Sequence, residues 1–122
     1  MDLKDGEIKI LAVSNEPTIL AELEGVLKKI FPFADVLKET DPLMACKYSF
    51  NNEVNYVFAS EDMKRMSGSD LLQFIRKEHP SVKTYLIFGD AEPSEATLCD
   101  EPDGAIGYPF SAEKIKTMLE KL

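Results

Sequence analysis

Apolar residues along the chain fall into two kinds of run, and the two kinds alternate. The runs IKILAV (8–13), NYVFAS (55–60) and TYLIFG (84–89) are nearly unbroken and of strand length. Such runs suit central strands of a parallel sheet that is covered on both faces. ADVLKE (34–39) is shorter and more polar, as an edge strand is, and GAIG (104–107) reads as a fifth strand. Between them the period changes to that of a helix. After Pro17, the residues Ile19, Leu20, Leu23, Val26, Leu27 and Ile30 form one apolar stripe, and Pro17 suits the first helical turn. DPLMACKYSF (41–50) opens with Asp41 as N-cap and Pro42 behind it, and its spacing predicts an inward face of Leu43, Cys46 and Phe50. SDLLQFIRKEH (69–79) turns Leu71, Leu72 and Ile75 inward, and SEATLCD (94–100) is a short fourth helix. SAEKIKTMLEKL (111–122) has Ser111 as cap and Ile115, Met118, Leu119 and Leu122 in register.

Strand and helix therefore alternate five times, without internal repeat or linker. Right-handed crossovers give an α/β fold, a doubly wound parallel sheet of five strands with helices on both faces, as a single domain over 1–122. Ligands and chemistry in such sheets gather outside the carboxyl ends of the strands. Those ends carry Ser14-Asn15-Glu16, Ser60, Phe88-Gly89-Asp90 and Tyr108-Pro109.

Composition narrows the classes. The 122 residues are 44% hydrophobic and 30% charged, ordinary for one globular domain. No window approaches a membrane span and the N-terminus is too polar for a signal peptide, so a cytoplasmic location is expected. With 14 Lys and Arg against 22 Asp and Glu, the net charge of −8 repels phosphate backbones and argues against direct nucleic-acid binding. Cys46 and Cys99 lie in separate elements without a CxxC pattern and read as reduced packing residues. His79, the one histidine, reads as a solvated side chain at a helix end.

The motifs now resemble a family. ILAVSNEP is similar to the opening I-L-x-V-D-D-E-P of response-regulator receiver domains of two-component phosphorelay signalling. NYVFASEDMKRMSGSDLL is similar to that family's D-x-V-x-x-D-x-x-M-P-x-M-x-G-x-x-L-L, and DGAIGYPF to D-G-Y-L-x-K-P-F. The resemblance spans essentially the whole chain and implies a CheY-like, flavodoxin-like fold with strand order 2-1-3-4-5. PFSAEKI and FPFADVLKETDPLMA lean towards receivers that precede a LytTR-type DNA-binding domain in a transcription regulator.

The same resemblance marks what is missing. It places Ser14 and Asn15 at the family's acidic pair, Ser60 at the phospho-acceptor aspartate and Phe88 at the hydroxyl switch position. Tyr108 stands at the lysine and Ala105 at the switch aromatic. Hard Mg²⁺ needs carboxylates, and Glu16 with the Asp62 carbonyl are weak residual ligands, so no cofactor and no tightly held metal are expected. Ser60 is a poor nucleophile without a base, and FASED lacks both a G-x-S-x-G elbow and a nearby histidine. SNEPTI lacks the hydroxyl- and glycine-rich phosphate loop of a flavin-binding relative. The plainer expectation is that Ser60 hydrogen-bonds locally and caps a strand end.

The expected function is that of a degenerate receiver, not an enzyme. It works through contacts with a protein partner or a second copy, by way of the face formed by the fourth helix, fifth strand and last helix. Tyr108, Phe110 and Met118 are candidates there, the last two also reading as core. The alternatives are a phosphorelay receiver with unusual residues and a small-molecule sensor using a cleft between Ser14, Ser60, Phe88 and Tyr108.

Overall fold

The continuous apolar runs become the centre of one sheet, flanked by the two weaker ones. The computed structural model describes residues 8–88, 104–107, 110 and 112–120. Within them lie β1 (Lys9–Val13), α1 (Pro17–Ile30), β2 (Asp35–Glu39), α2 (Pro42–Asn51) and β3 (Tyr56–Ser60). They are followed by α3 (Gly68–Glu78), β4 (Lys83–Phe88), β5 (Gly104–Gly107) and a last helix, α4 (Ala112–Glu120). The expected helix at 94–100, with Gly89, Asp90, Cys99, Tyr108, Pro109, Ser111 and Leu122, falls outside the described residues, as does the Met118 side chain.

All strand pairs are parallel and the order is β2-β1-β3-β4-β5, as expected. The sheet alternates side chains between two cores. Ile10 and Ala12 of β1, Phe58 of β3, Tyr85 and Ile87 of β4 meet Leu20, Leu23 and Leu27 of α1 and Ile115 of α4. Leu11 and Val13, Val57 and Ala59, and Leu86 meet Ala45 of α2 and Leu71, Leu72 and Ile75 of α3 on the other side. Each fully buried aliphatic side chain contributes about 1.5–3 kcal/mol. Stacked rings run through the first core, with Phe58 and Tyr85 centroids 4.9 Å apart and Phe31 and Tyr56 5.7 Å apart. Phe110 and Leu119 pack half-buried against that core.

Strand limits shift by one residue for a reason visible in the backbone. Asn55 does not lie in β3, yet its N–H donates to the Lys9 carbonyl and its own carbonyl accepts from Lys83 N–H. Its Oδ1 also accepts from Lys9 N–H at 2.7 Å, so it knits three strands at their amino ends.

The face of α2 departs from expectation. Leu43 and Phe50 point to solvent, 45% and 66% exposed, while Pro42, Ala45 and Ser49 are buried and Cys46 is half-buried. Small residues let the helix lie close to the sheet, and its rotation is held at both ends. Asp41 accepts from Leu43 N–H at 2.9 Å and pairs with Arg65 at 3.5 Å. At the other end the His79 ring Nε2 lies 2.5 Å from the Ser49 carbonyl, so this nitrogen carries the donated proton. His79 is thus a half-buried tie between α3 and α2 rather than a freely solvated side chain.

Candidate functional site at the carboxyl ends of the strands

β1 and β3 run side by side, with Val13 opposite Ala59, and deliver Ser14 and Ser60 to the same edge of the sheet. Ser14 is almost wholly buried. Its N–H donates to the Glu39 carbonyl at 3.1 Å and its Oγ accepts from Glu16 N–H at 3.2 Å, a local turn that starts α1. Glu16 occupies the N-cap position, its carbonyl accepting from Ile19 N–H at 3.1 Å, while its side chain makes no capping bond.

Asn15 spans the mouth. Its Nδ2 donates to the Thr40 carbonyl at 2.8 Å and its Oδ1 accepts from Lys64 N–H at 2.5 Å. One amide therefore ties the loop after β1 to the loops after β2 and β3. A carboxylate has no proton to give Thr40, so the first of these bonds requires the amide. Arg65, next to Lys64, has φ of 76°, a left-handed conformation costly for a residue with a side chain, and its guanidinium pairs with Asp41 at 3.5 Å.

Ser60 ends β3 with 7% exposure, and its Oγ has no hydrogen-bond partner among the described residues. The expected local cap is not formed. The capping at this point is done by neighbours. Glu61 Oε1 accepts from Ser69 N–H and its Oε2 from Ser69 Oγ, both at 3.0 Å, and Ser67 Oγ accepts from Asp70 N–H at 3.2 Å. Both serve the first turn of α3, where amides lack helical partners and a carboxylate suits the dipole. Gly68 is dictated by contact, since a Cβ there would sit 2.3 Å from the Ser60 carbonyl oxygen.

Phe88 ends β4 opposite Gly107, and its ring covers that glycine, 3.1 Å from where a Cβ would stand. Ala105 pairs with Leu86 and packs half-buried against the core under α3. Asp62 is exposed, and Tyr108 lies outside the described residues, so the fourfold cleft of Ser14, Ser60, Phe88 and Tyr108 is placed only in its first three members. Among the described residues no group of three or more His, Cys, Asp or Glu side chains converges as a metal cluster. Cys46 lies off this edge, with its Sγ 3.9 Å from Met66 Sδ. Burial, and then the Asp41 carboxylate, push its thiol pKa up.

Sequence reasoning singled out Ser14, Asn15 and Ser60 as the residues of this edge. It missed the bracing done by Asn15 and Arg65, because those bonds join loops far apart in the chain, and it missed the bonds that Glu61 accepts from Ser69 within the connection from β3 to α3.

Comparison with solved structures gives a consistent answer. The signal receiver domain of an HD domain-containing protein from Pseudomonas fluorescens Pf-5 superposes with a TM-score of 0.81 and 22% identity, over 93% of this chain and 92% of that one. A response regulator receiver domain protein from Clostridium thermocellum gives 0.80 and 21%, over 93% and 92%. A CheY-like receiver domain protein from Methanospirillum hungatei JF-1 gives 0.80 and 20%, over 93% and 91%. This chain has the receiver fold. No protein-family profile and no curated protein matches it by sequence. Within the receiver fold the edge built from Ser14, Asn15 and Ser60 lies where doubly wound sheets place their ligands. The described helices include none long and apolar enough to cross a membrane.

Proposed function

We propose that this chain is a degenerate receiver domain of a two-component response regulator, one that has given up phosphoryl transfer and acts through protein contacts independently of phosphorylation. The observation that carries this reading is the state of Asn15. At a position the resemblance gives to a metal-binding carboxylate stands a neutral amide whose donor and acceptor are both taken, by Thr40 and Lys64. Ser14 is likewise used, by Glu16 N–H.

The residues present do not fit the divalent cation that the fold family uses. A hard dication needs several oxygen ligands carrying negative charge. Here two neutral side chains already engaged in hydrogen bonds stand at the family's acidic pair, and Ser60 offers a neutral hydroxyl. The one histidine of the chain is no base for that hydroxyl, since His79 is held at the opposite end of α3 by Ser49. The ring of Phe88, over Gly107, presents carbon where phosphoryl oxygens would need donors. What this leaves is a domain of fixed shape that binds or spaces other proteins. A downstream DNA-binding domain in the same polypeptide is compatible with that role, with this domain itself too acidic to grip nucleic acid.

The test is to incubate the purified chain with acetyl phosphate and Mg²⁺ and measure its intact mass. The unmodified mass is expected. A stoichiometric phosphoryl adduct, mapped to any residue of the 14–16 or 60–62 segments, overturns the reading.

One observation favours a second reading, the small-molecule sensor. The buried Ser60 Oγ, at the carboxyl end of β3, has no hydrogen-bond partner among the described residues, and buried polar groups of this kind are rare. A metabolite panel scored by thermal shift, wild type against Ser60→Ala, checks it; a stabiliser that loses its effect in the variant is the supporting result.

A further inference from the structure

The amino-terminal end of the sheet, opposite the edge that carries Ser14 and Ser60, holds a cleft of about 330 Å³. It is formed where the connection from α2 to β3 meets the connection from α3 to β4. Its walls are fixed by bonds already made. Asn55 is bonded through its backbone to Lys9 and Lys83, and so ties the first connection to β1 and β4. Val82 N–H donates to the His79 carbonyl at 2.9 Å and closes the second. His79 Nε2 donates to the Ser49 carbonyl and joins the end of α3 to α2. A preformed cleft of this kind costs a ligand little in ordering the protein.

The lining selects the ligand. Its charged side chains are both carboxylates, Glu53 ahead of β3 and Glu78 at the end of α3. Neither is in an ion pair among the described residues. The Ser81 hydroxyl adds an acceptor, and so does His79 Nδ1, since in the neutral ring the proton sits on Nε2. Asn55 contributes an amide whose Oδ1 is already taken by Lys9 N–H. Lys77 and Lys83 adjoin lining residues in sequence but form no part of the lining. Lys83 shares strand parity with Tyr85 and Ile87, which enter the core under α1, whereas the cleft belongs to the connections of α2 and α3 on the other side. The apolar part of the lining is Pro80, exposed, with Val54 and Val82 buried.

Acceptors of negative charge beside a small apolar surface fit a cation with several donors and a short hydrocarbon stem. The described side chains converge on no metal cluster, so the cation is organic. A guanidinium presents five donors in a planar fork that can serve carboxylates from two sides, while an ammonium is a compact and more strongly hydrated point charge. The volume lies at the lower end of ligand sites, roughly 300–1,000 Å³, and suits a group the size of one side chain. We propose that this cleft binds an alkyl guanidinium, with Glu53 and Glu78 holding the planar head and Pro80 the stem. The same chemistry is offered by a free small molecule and by an arginine side chain of a partner protein. The site stands at the far end of the domain from the edge discussed above and does not depend on whether that edge accepts a phosphoryl group.

The test titrates the purified chain with butylguanidinium, with butylammonium and with the capped tripeptide acetyl-Gly-Arg-Gly-amide, each followed by ¹⁵N amide shifts. Butylguanidinium is expected to saturate, with shifts concentrated in 53–55 and 78–82, and to bind more tightly than butylammonium. Glu53→Gln with Glu78→Gln should weaken it by about tenfold. Asp70→Asn with Glu113→Gln removes the same charge from the first turns of α3 and α4, at the other end of the domain, and should leave binding unchanged. All four positions are exposed, and an unchanged melting curve shows that the variants remain folded. A tripeptide that binds as tightly as butylguanidinium or more so assigns the cleft to a partner's arginine, and a weaker one assigns it to a free ligand. Absence of saturation, butylammonium binding as tightly as butylguanidinium, shifts confined to other segments, or equal weakening by the two charge-removing pairs overturns the proposal.

Discussion

Ser60, Asn15 and Cys46 each carry a test at the scale of single side chains. The Ser60 hydroxyl is buried without a partner among the described residues, a state that costs about 1–3 kcal/mol. Ser60→Ala removes the cost along with the group, so chemical denaturation should find the variant as stable as the parent or more so. A clear loss of stability would mean that the hydroxyl is satisfied. Asn15→Asp keeps the shape of the side chain and the bond from Lys64 but sets a carboxylate oxygen against the Thr40 carbonyl. The expected loss is about 1–3 kcal/mol, together with faster amide exchange at Lys64; a variant as stable as the parent would show that the brace is idle. The Cys46 thiol is held protonated by burial first and by Asp41 second. Ionising it disfavours the folded chain, so its contribution is intact below the ordinary thiol range and declines as pH rises through it. Iodoacetamide followed by peptide mapping should show Cys46 reacting more slowly than a small thiol at pH 8, and free-thiol rates there would contradict the account.

Among elements, the starts of α2 and α3 are where local sequence and tertiary contact reinforce each other. Asp41 caps α2 and also holds Arg65, so Asp41→Ala should lose about 1–2 kcal/mol and loosen the loop before α3. Gly68→Ala drives a methyl to within 2.3 Å of backbone at Ser60. The expected loss is about 3 kcal/mol or more, and an alanine variant within 1 kcal/mol of the parent would refute the contact. Elements were legible in the sequence where pattern and burial agree. The α1 stripe buries Leu20, Leu23 and Leu27, α3 buries Leu71, Leu72 and Ile75, and Pro17 and Asp41 start their helices as their chemistry requires. The face of α2 was not legible. Its apolar spacing pointed Leu43 and Phe50 inward, whereas its rotation is settled by Asp41–Arg65 at one end and Ser49–His79 at the other. The same limit applies to the edge of the sheet. The residue types at Ser14, Asn15 and Ser60 announced weak metal and phosphate chemistry, but only the folded chain brings Thr40 and Lys64 to either end of Asn15.

Taken whole, the molecule is a sheet sandwiched between two helical layers with an excess of eight negative charges. The ion pairs Lys9–Asp35 and Lys38–Glu24 are exposed and contribute little, so self-repulsion is the main long-range electrostatic effect. Added potassium chloride should therefore raise the melting temperature by screening it, and a fall with moderate salt would place the balance elsewhere. The strand order has a further consequence. β2 pairs with β1 alone among the described residues, which leaves the outer rim of the sheet with unpaired peptide groups. Asp35 and Lys38 are the exposed side chains on that strand, and each is a gatekeeper against another chain zipping onto it. Replacing both with valine would leave the monomer's interior untouched yet turn a well-behaved solution into one prone to fibrillar precipitation.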